Sequence, residues 1–360
     1  MNDMRKQRAI VIGATGAAGQ NVVESLANHP WFELSALAAS SRSAGMTYEK
    51  AIEDARFFEK TPGNEVLAMN VMDVEKVSPR DYDLAFSALP SEVARVQESR
   101  FAEYVPVIST ASAYRYEPDV PILLPDVNPR HAKLIKTQRE KRGWEGFICP
   151  GPNCTTVGLV VSLKPLIDVY GVRAIHVVSE QSLSGAGEKG LRLDSAYRMS
   201  VEMNVLPYIE GEEGKVEKET NKILGRLSGD GVKDAGIIVG ATCTRVHVQT
   251  VHTEAVYVDT KKPCSVEEAK ETMRSYVSEA QKLKLPSMPE KTIKVFDEPE
   301  MPQPKLHRQY GGDVTLVGRL RKDPVFKNGL AYIVTSDNLD KGAGGGAVQS
   351  AEYLKAKRYF

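Results

Sequence analysis

A glycine-rich segment near the N-terminus constrains the fold of this chain more than any other feature. The sequence VIGATGAAGQ places Gly13, Gly16 and Gly19 directly after an apolar run and before a helical pattern. At such a junction, backbone amides and the helix dipole can hold a pyrophosphate group. The spacing therefore predicts a βαβ unit that binds a dinucleotide, with Thr15 and Ala17 beside the phosphates. A structural glycine-rich turn is the alternative.

Apolar runs alternate with helical patterns through the first third of the chain. The runs are AIVIGA, FELSALAAS, DLAFSAL and VPVIST. This alternation predicts a parallel sheet covered by helices, a Rossmann-type domain over residues 1–153. Longer strand patterns separated by amphipathic helices then predict an α+β domain with a mixed or antiparallel sheet over residues 154–338. The final segment, 339–360, is glycine-rich from Gly342 onward and is predicted to form a helix that returns to the first domain. The fold class is α/β.

The end of the second predicted strand bears on the choice of cofactor. Sites that prefer NAD usually place an acidic residue there, to bind the ribose 2′-hydroxyl. Here the strand ends in Ser40, Ser41, Arg42 and Ser43. An arginine and several hydroxyl groups suit a 2′-phosphate, so the pattern predicts NADP. A solvated serine turn is the alternative.

The composition excludes several partners. Lys and Arg together number 47, as do Asp and Glu, so no overall field attracts nucleic acid or an anionic membrane. No run of about 18 apolar residues indicates a membrane span, and the N-terminus lacks a signal-like segment. The cysteines show neither a CxxC pair nor the density of a disulfide scaffold: Cys149, Cys154, Cys243 and Cys264. We therefore expect a cytoplasmic protein without a metal site.

Cys154 is the candidate nucleophile. It lies in GFICPGPNCTTVGL, where an apolar strand gives way to an apolar helix. A helix N-terminus stabilises a thiolate and supplies amides for an oxyanion, and Asn153 can donate a further hydrogen bond. Taken alone, a single cysteine of this kind is more often a small buried apolar residue.

A thiol enzyme also needs an acid or base, and the chain has six histidines. Three fall at helix ends or in loops, where we expect exposed side chains: His29, His131 and His307. His176 interrupts an apolar strand and is expected in the core. The remaining two are His247 and His252, of which strand alternation places His247 on the face of Arg245. Spacing alone does not choose between them.

Taken together, these residues resemble the aspartate-semialdehyde dehydrogenase family, particularly its archaeal and fungal branch. The likeness runs nearly end to end, through GATGAAGQ, ALAASSRSAG, AFSALPS, ISTASAYR, PNCTT, QSLSGAG, YIEGEEGKVEKETNKILG, CTRVHVQTVHTE, MPQPKLHRQYGG and SDN followed by GAGGG. The resemblance implies a Rossmann domain joined to an α+β catalytic and dimerisation domain, and a homodimer or homotetramer.

The resemblance also implies roles for individual residues. In catalysis, Cys154 would be the nucleophile, His252 the acid–base residue and Gln181 a residue that orients the substrate. Substrate binding would involve Asn153, Arg245 for the carboxylate, Glu212 for the amino group, and Lys215 and Arg115 for the phosphate. Additional cofactor contacts would come from Ser87, Gly185 and Asn338.

The implied reaction is the reversible, NADPH-dependent reduction of L-aspartyl 4-phosphate to L-aspartate 4-semialdehyde and phosphate. It would proceed through a thioester on Cys154. This activity belongs to amino-acid biosynthesis, on the route to lysine, threonine and methionine.

Several positions depart from the family pattern. Thr110 replaces an asparagine beside the phosphate, and the stretch after Gly187 is longer and more charged. Thr250 and Val251 replace an Asp-Gly pair, although a β-branched residue resists the positive φ that glycine permits. Two alternatives therefore stay open: a reductase of CoA thioesters such as malonyl-CoA or succinyl-CoA, and a non-catalytic NADP-binding homologue. Retention of Glu212, Lys215, Arg115 and Arg245 favours an amino-dicarboxylate acyl phosphate, because a CoA thioester without an amino group needs no such ammonium partner.

Overall fold

The computed structural model describes residues 5–58 and 60–360, so residues 1–4 and 59 of the predicted first domain lie outside it. Two sheets, each with its own apolar core, form the molecule. The predicted α/β fold is confirmed.

The first sheet has six parallel strands in the order β3-β2-β1-β4-β5-β6. The strands are β1 (Gln7–Ile12), β2 (Phe32–Ala39), β3 (Val71–Asp73), β4 (Leu84–Ser87), β5 (Pro106–Ser109) and β6 (Phe147–Pro150). The helices that accompany them are α1 (Ala17–Leu26), α2 (Tyr48–Ala51), α3 (Asn64–Leu67), α4 (Ser91–Ala102) and α5 (Leu134–Arg142). Because all six strands run the same way, their carboxyl ends meet at one edge of the sheet.

The second sheet has seven strands in the order β13-β14-β15-β12-β7-β11-β8, and it is mixed, as the sequence predicted. Its strands are β7 (Val172–Gln181), β8 (Val205–Leu206), β11 (Ile238–Val246), β12 (His252–Thr260), β13 (Ile293–Val295), β14 (Thr315–Lys322) and β15 (Gly329–Ser336), while β9 (Arg226–Ser228) and β10 (Gly231–Lys233) pair separately. The helices are α6 (Cys154–Tyr170), α7 (Glu188–Leu191), α8 (Ala196–Val201), α9 (Glu212–Ile223), α10 (Val266–Arg274) and α11 (Glu279–Lys282). Short 3₁₀ helices span Pro79–Asp81, Pro129–Lys133, Leu183–Ala186 and Pro304–Tyr310.

One face of the second sheet packs on helices, and the other is not covered by any helix in the described part of the chain. Alternate side chains of β7 and β12, such as Val177 and Val256, enter the core with α6. The intervening side chains point the other way, so Val178, Ala255 and Tyr257 are only half-buried.

The C-terminal helix α12 (Gly344–Ala356) packs against α1 and joins the core of the first sheet. Its approach is close, because a Cβ atom on Gly344 would lie 2.2 Å from the side-chain oxygen of Asn21. None of the helices in the described ranges 5–58 and 60–360 is long and apolar enough to cross a bilayer.

Four of the histidine expectations were wrong. His29, His131 and His307 are buried because each ring has a polar partner, respectively the carboxylate of Glu352, the side chain of Asn128 and the hydroxyl of Thr335. His176 is exposed because it lies on the uncovered face of β7.

Candidate active site

Cys154 lies between the two sheets. Strand β6 ends at Pro150, and after three intervening residues Cys154 begins α6. Helix α6 is apolar and largely buried against the second sheet, so its first residue has a fixed position relative to that sheet. The thiol is therefore held at the carboxyl edge of the first sheet and at the N-terminus of a helix, where the helix dipole favours a thiolate.

Three neighbouring strands of the second sheet bring polar side chains to the same place. Strand β7 ends at Gln181, which pairs with Arg245 of β11, and β12 begins at His252 on the other side of β7. All three side chains are buried. His252 Nε2 lies 3.3 Å from Cys154 Sγ, whereas His247 follows β11 and is exposed. The geometry thus places His252, and not His247, beside the thiol.

The hydrogen bonds of His252 determine its tautomer. The backbone N–H of Ser182 donates to His252 Nδ1 over 3.1 Å, and a backbone amide can only donate. Nδ1 is therefore the acceptor nitrogen, and in the neutral ring the proton lies on Nε2, facing the sulfur. The thiol of Cys154 in turn donates to Asn153 Oδ1, with a sulfur–oxygen distance of 3.7 Å.

Burial keeps both reacting groups uncharged in the free protein. It raises the pKa of the Cys154 thiol to about 11, with a further rise from Glu212 that Arg245 and Arg115 oppose. Burial also lowers the pKa of His252 to about 3, and the Arg245 charge adds to this decrease. At neutral pH the pair is consequently a thiol and a neutral imidazole.

Glu212 connects the residues around the thiol. Its Oε1 atom accepts hydrogen bonds from Asn153 Nδ2 at 2.7 Å, Thr155 Oγ1 at 2.9 Å and Gln181 Nε2 at 3.1 Å. Lys215 Nζ lies 3.4 Å from the other oxygen, Oε2. Burial by itself raises the pKa of Glu212, but these hydrogen bonds and the Lys215 charge more than offset it, and the pKa is lowered. Glu212 is therefore a buried carboxylate.

Sequence reasoning missed Glu219, which supports the loop before Cys154. Glu219 is fully buried, accepts the Asn153 backbone N–H at 2.6 Å and pairs with Arg115 at 3.1 Å. Arg115 uses four of its five N–H groups within the protein, on Glu219 and on the carbonyls of Thr110, Gly151 and Pro152. The spacing of Glu219, seven residues after Glu212, places both on one face of α9 and is the signal that could have identified it.

Arg245 is held by a residue that the sequence analysis also missed. Its Nη1 donates to the Ser182 carbonyl at 2.6 Å, and its Nε donates to the Tyr197 hydroxyl at 3.2 Å. Tyr197 lies in α8, within the long segment after Gly187 that departs from the family pattern. This segment thus forms part of the wall around Arg245.

Gly185 lies against the side chains of Arg245 and His252 and leaves no space for a larger residue. A Cβ atom at this position would lie 2.7 Å from Arg245 Nη1 and 2.8 Å from His252 Cε1. Gly342 is similarly close to the nucleophile, because its Cβ would lie 2.9 Å from that of Cys154. These short distances explain why glycines surround the thiol.

Asn338 and Val251 form a buried network behind His252. Val251 has a φ of 73°, which lies in the left-handed region. A β-branched residue therefore adopts the backbone conformation that glycine permits and that β-branched side chains resist. Its N–H donates to Asn338 Oδ1 at 2.9 Å, and the Ser182 hydroxyl donates to the same oxygen at 3.0 Å. The Asn338 Nδ2 atom donates to Ser184 Oγ at 2.8 Å. Such a backbone conformation costs about 1–3 kcal/mol.

The glycine-rich turn after β1 fits a dinucleotide. Gly13 has a φ of 86°, and a Cβ atom there would lie 2.6 Å from the Ala88 carbonyl oxygen. Gly16 is the N-cap of α1 and offers no side-chain acceptor to the first-turn amides, so these amides can receive a phosphate. A Cβ on Gly19 would lie 2.1 Å from the Gly13 carbonyl oxygen, so helix and turn pack closely. Thr15 and Ala17 flank Gly16 and are half-buried.

The turn after β2 fits a 2′-phosphate. Strands β1 and β2 are parallel neighbours, so this turn lies at the same edge as the glycine-rich turn. The Ser43 N–H closes it by donating to the Ser40 carbonyl at 3.0 Å, and the side chains of Ser40, Ser41 and Arg42 are exposed. Ser87, in contrast, is fully buried at the end of β4, beside the Glu98 carboxyl group.

Within the described residues, no group of three or more His, Cys, Asp or Glu side chains is arranged to hold a metal ion.

Comparison with known proteins agrees with this arrangement. Two family models match, "Semialdehyde dehydrogenase, NAD binding domain" over residues 8–135 and "Semialdehyde dehydrogenase, dimerisation domain" over residues 163–341. The aspartate-semialdehyde dehydrogenase of Archaeoglobus fulgidus is 45% identical over 346 residues, 96% of each chain. The chain belongs to the aspartate-semialdehyde dehydrogenase family. The enzyme of Methanothermobacter thermautotrophicus is 42% identical, with 96% of this chain and 97% of the relative covered.

A solved family member supports the fold assignment over the whole length. The crystal structure of the Candida albicans aspartate semialdehyde dehydrogenase with NADP superposes with a TM-score of 0.89 at 36% identity. The alignment covers 99% of this chain and all of that chain. The family resemblance inferred from the sequence motifs is thus confirmed.

We predict that Gly185→Ala displaces His252 from Cys154. The added methyl group overlaps Arg245 Nη1 and His252 Cε1, so the imidazole must move and its hydrogen bond to the sulfur is lost. The measurement is the rate of Cys154 alkylation by iodoacetamide. We expect this rate to decrease about tenfold, because the loss of one hydrogen bond to a charged group has an effect of that size. Gly214→Ala is the matched control, because nothing lies within 4 Å of its Cβ position. Equal rates in the two variants would contradict the prediction.

Proposed function

We propose that this chain catalyses the reversible reduction of L-aspartyl 4-phosphate by NADPH to L-aspartate 4-semialdehyde and phosphate. The observation that carries the proposal is the half-buried thiol of Cys154, with the His252 Nε2 atom at 3.3 Å and the Glu212 carboxylate among its neighbours. Membership of the family and full-length similarity to aspartate-semialdehyde dehydrogenases support this activity. They favour it over CoA-thioester reduction and over loss of catalysis.

The thiol acts as the nucleophile. The Cys154 thiol loses its proton to solvent, since His252 Nε2 already carries one. The resulting thiolate Sγ attacks the acyl carbon, the bond from that carbon to the phosphate oxygen breaks, and phosphate leaves a thioester. NADPH, when bound, supplies the hydride that reduces the thioester carbon. The carbon–sulfur bond then breaks, which releases the aldehyde and regenerates the thiolate. Throughout, the N–H of His252 Nε2 faces the sulfur and the developing oxyanion, which it stabilises by donating a hydrogen bond.

Charged side chains around the thiol recognise the substrate. Arg245 binds the α-carboxylate, and Glu212 binds the ammonium group through Oε2, the oxygen with fewer partners in the free protein. Lys215 is half-exposed and binds the phosphate. Arg115 contributes its charge and its one remaining N–H to the phosphate, while Gln181 and Asn153 orient the acyl group.

The residues that would hold the cofactor lie along the carboxyl edge of the first sheet. Gly13, Thr15, Gly16 and Ala17 hold the pyrophosphate, and the turn from Ser40 to Ser43 holds the 2′-phosphate. At the nicotinamide end, Gly185 lies against His252, and the second N–H of Asn338 Nδ2 can donate to the carboxamide. Ser87 would contact the cofactor through its backbone at the end of β4, since its side chain is buried.

The two sheets support a division into domains. We place the nucleotide-binding domain at residues 1–153, with residues 339–360 returning to it, and the catalytic and dimerisation domain at residues 154–338. The separate apolar cores and the packing of α12 on α1 support these boundaries.

The cysteines bear on the cellular location. All four are free, as expected in a reducing compartment, and this supports a cytoplasmic location.

The test of the proposed activity is phosphate-dependent formation of NADPH from aspartate semialdehyde and NADP, followed by the near-ultraviolet absorbance of NADPH. We expect Cys154→Ala to lose the activity by a factor of roughly 10³ or more, because no thioester can form. Cys264→Ala is the control, since this cysteine lies in the second core away from the site. Reduction of NADP that requires CoA instead of phosphate would contradict the proposal, and so would activity in Cys154→Ala.

Arg42 should determine the preference for NADP. Its side chain is exposed and has no carboxylate partner among the described residues, so it is free to bind a phosphate. We expect Arg42→Ala to raise the KM for NADP by about 10- to 100-fold, the usual value of a charge-assisted hydrogen bond, with little change for NAD. The control is Arg56→Ala, an exposed arginine paired with Glu49. Equal effects on NADP and NAD would contradict this assignment.

We also propose a dimer formed through the uncovered face of the second sheet. Its half-buried apolar side chains, Val178, Ala255 and Tyr257, lie within the matched dimerisation domain. We expect the solution mass from light scattering to be that of a dimer or dimer of dimers, and Val178→Glu to shift it to the monomer by burying a charge in the contact. Val96→Glu on the exposed face of α4 is the control. A monomeric wild type would contradict the proposal.

A further inference from the structure

Val251 is the one buried residue with a strained backbone next to the reacting pair. Six non-glycine residues of the described chain have positive φ: Asn28, Met203, Val251, Lys284, Arg319 and Arg358. The other five are exposed, whereas Val251 is 1% exposed and is the only β-branched member. Residues of this kind persist only where the surroundings hold them, and they cluster at functional sites.

The strain at Val251 bears directly on His252. Val251 precedes His252, which begins β12 and pairs with Ser336 of β15. A change of φ at Val251 alters the entry of the chain into β12 and so turns the His252 Cα–Cβ bond. The imidazole has little tolerance for such a turn, because Nδ1 must reach the Ser182 amide while Nε2 reaches the sulfur.

One carboxamide holds both chain segments that contact the imidazole. Asn338 is 3% exposed, and its Oδ1 accepts the Val251 N–H at 2.9 Å and the Ser182 hydroxyl at 3.0 Å. Its Nδ2 donates to Ser184 at 2.8 Å, which fixes the orientation of the amide group. Ser182 in turn supplies the N–H that holds Nδ1.

We propose that Asn338 is a positioning residue for His252: its hydrogen bond to the Val251 amide maintains the left-handed backbone that directs Nε2 at the Cys154 sulfur. This role is separate from any contact of Asn338 with the cofactor. Glycine adopts positive φ without strain. With glycine at position 251, the Asn338 hydrogen bond should therefore become dispensable.

The test is a set of variants assayed without substrate or cofactor. The readout is the pH profile of Cys154 alkylation by iodoacetamide, followed by mass spectrometry of the Cys154 peptide, with His252→Ala as the lower limit. We expect Asn338→Ala to alkylate about tenfold more slowly than wild type at mildly alkaline pH, and its profile to shift towards that of His252→Ala. Val251→Gly alone should remain within about threefold of wild type.

The decisive variant is the double substitution Val251→Gly with Asn338→Ala, which we expect to return to within about threefold of wild type. Thr250→Gly with Asn338→Ala is the matched control: Thr250 does not have positive φ, so glycine there relieves no strain and the rate stays low. Slow alkylation of Cys149, Cys243 and Cys264, which are buried, reports that each variant is folded. A wild-type rate in Asn338→Ala would overturn the proposal, as would a folded double variant that is not rescued or equal rescue by Thr250→Gly.

The proposal rests on the assignment of His252 as the partner of Cys154 but not on the identity of the substrate. Because alkylation needs neither NADP nor aspartate semialdehyde, its outcome is independent of the dehydrogenase assay. An enzyme that reduces NADP while Asn338→Ala alkylates normally would disprove the positioning role alone.

Discussion

The burial of helix α6 is the constraint on which the rest of the site depends. The helix begins at Cys154, directly after the last strand of the first sheet, and its apolar side chains fill the core beneath the second sheet. It can approach that sheet closely because position 158 is glycine, where a Cβ would lie 2.8 Å from the Ser336 side chain. A movement of α6 would separate the thiol from His252 and from the cofactor edge together. The position of Cys154 is thus as rigid as the core that holds its helix.

The pKa of the Cys154 thiol follows from this burial. A thiol placed at the junction of two cores loses solvation, and its pKa rises although a helix N-terminus and two arginines favour the thiolate. The buried carboxylates Glu212 and Glu219 have structural partners, namely the Asn153 side chain and backbone and the Arg115 guanidinium.

Much of the architecture was predictable because it depends on local periodicity. The parallel first sheet, the mixed second sheet and the start of α6 at Cys154 all follow from apolar runs and from glycines at defined junctions. The unfavourable fit of Val251 to a positive φ was also predictable from the sequence, since the steric rule for β-branched residues applies to any fold. The histidines were predicted poorly, because burial of His29, His131 and His307 depends on partners such as Glu352 that are distant in the chain.

The sequence by itself determined the fold class, the family and the candidate thiol, because these are expressed in local patterns and in motifs that occur in order. Only the tertiary structure decided that His252 rather than His247 faces Cys154, that Glu219 supports the loop before it, and that Tyr197 borders Arg245. Strand alternation could not resolve the histidines, because the turn at Val251 interrupts the period of two on which that argument relies. Its left-handed backbone depends on the Asn338 hydrogen bond, a contact across 87 residues that no local pattern encodes.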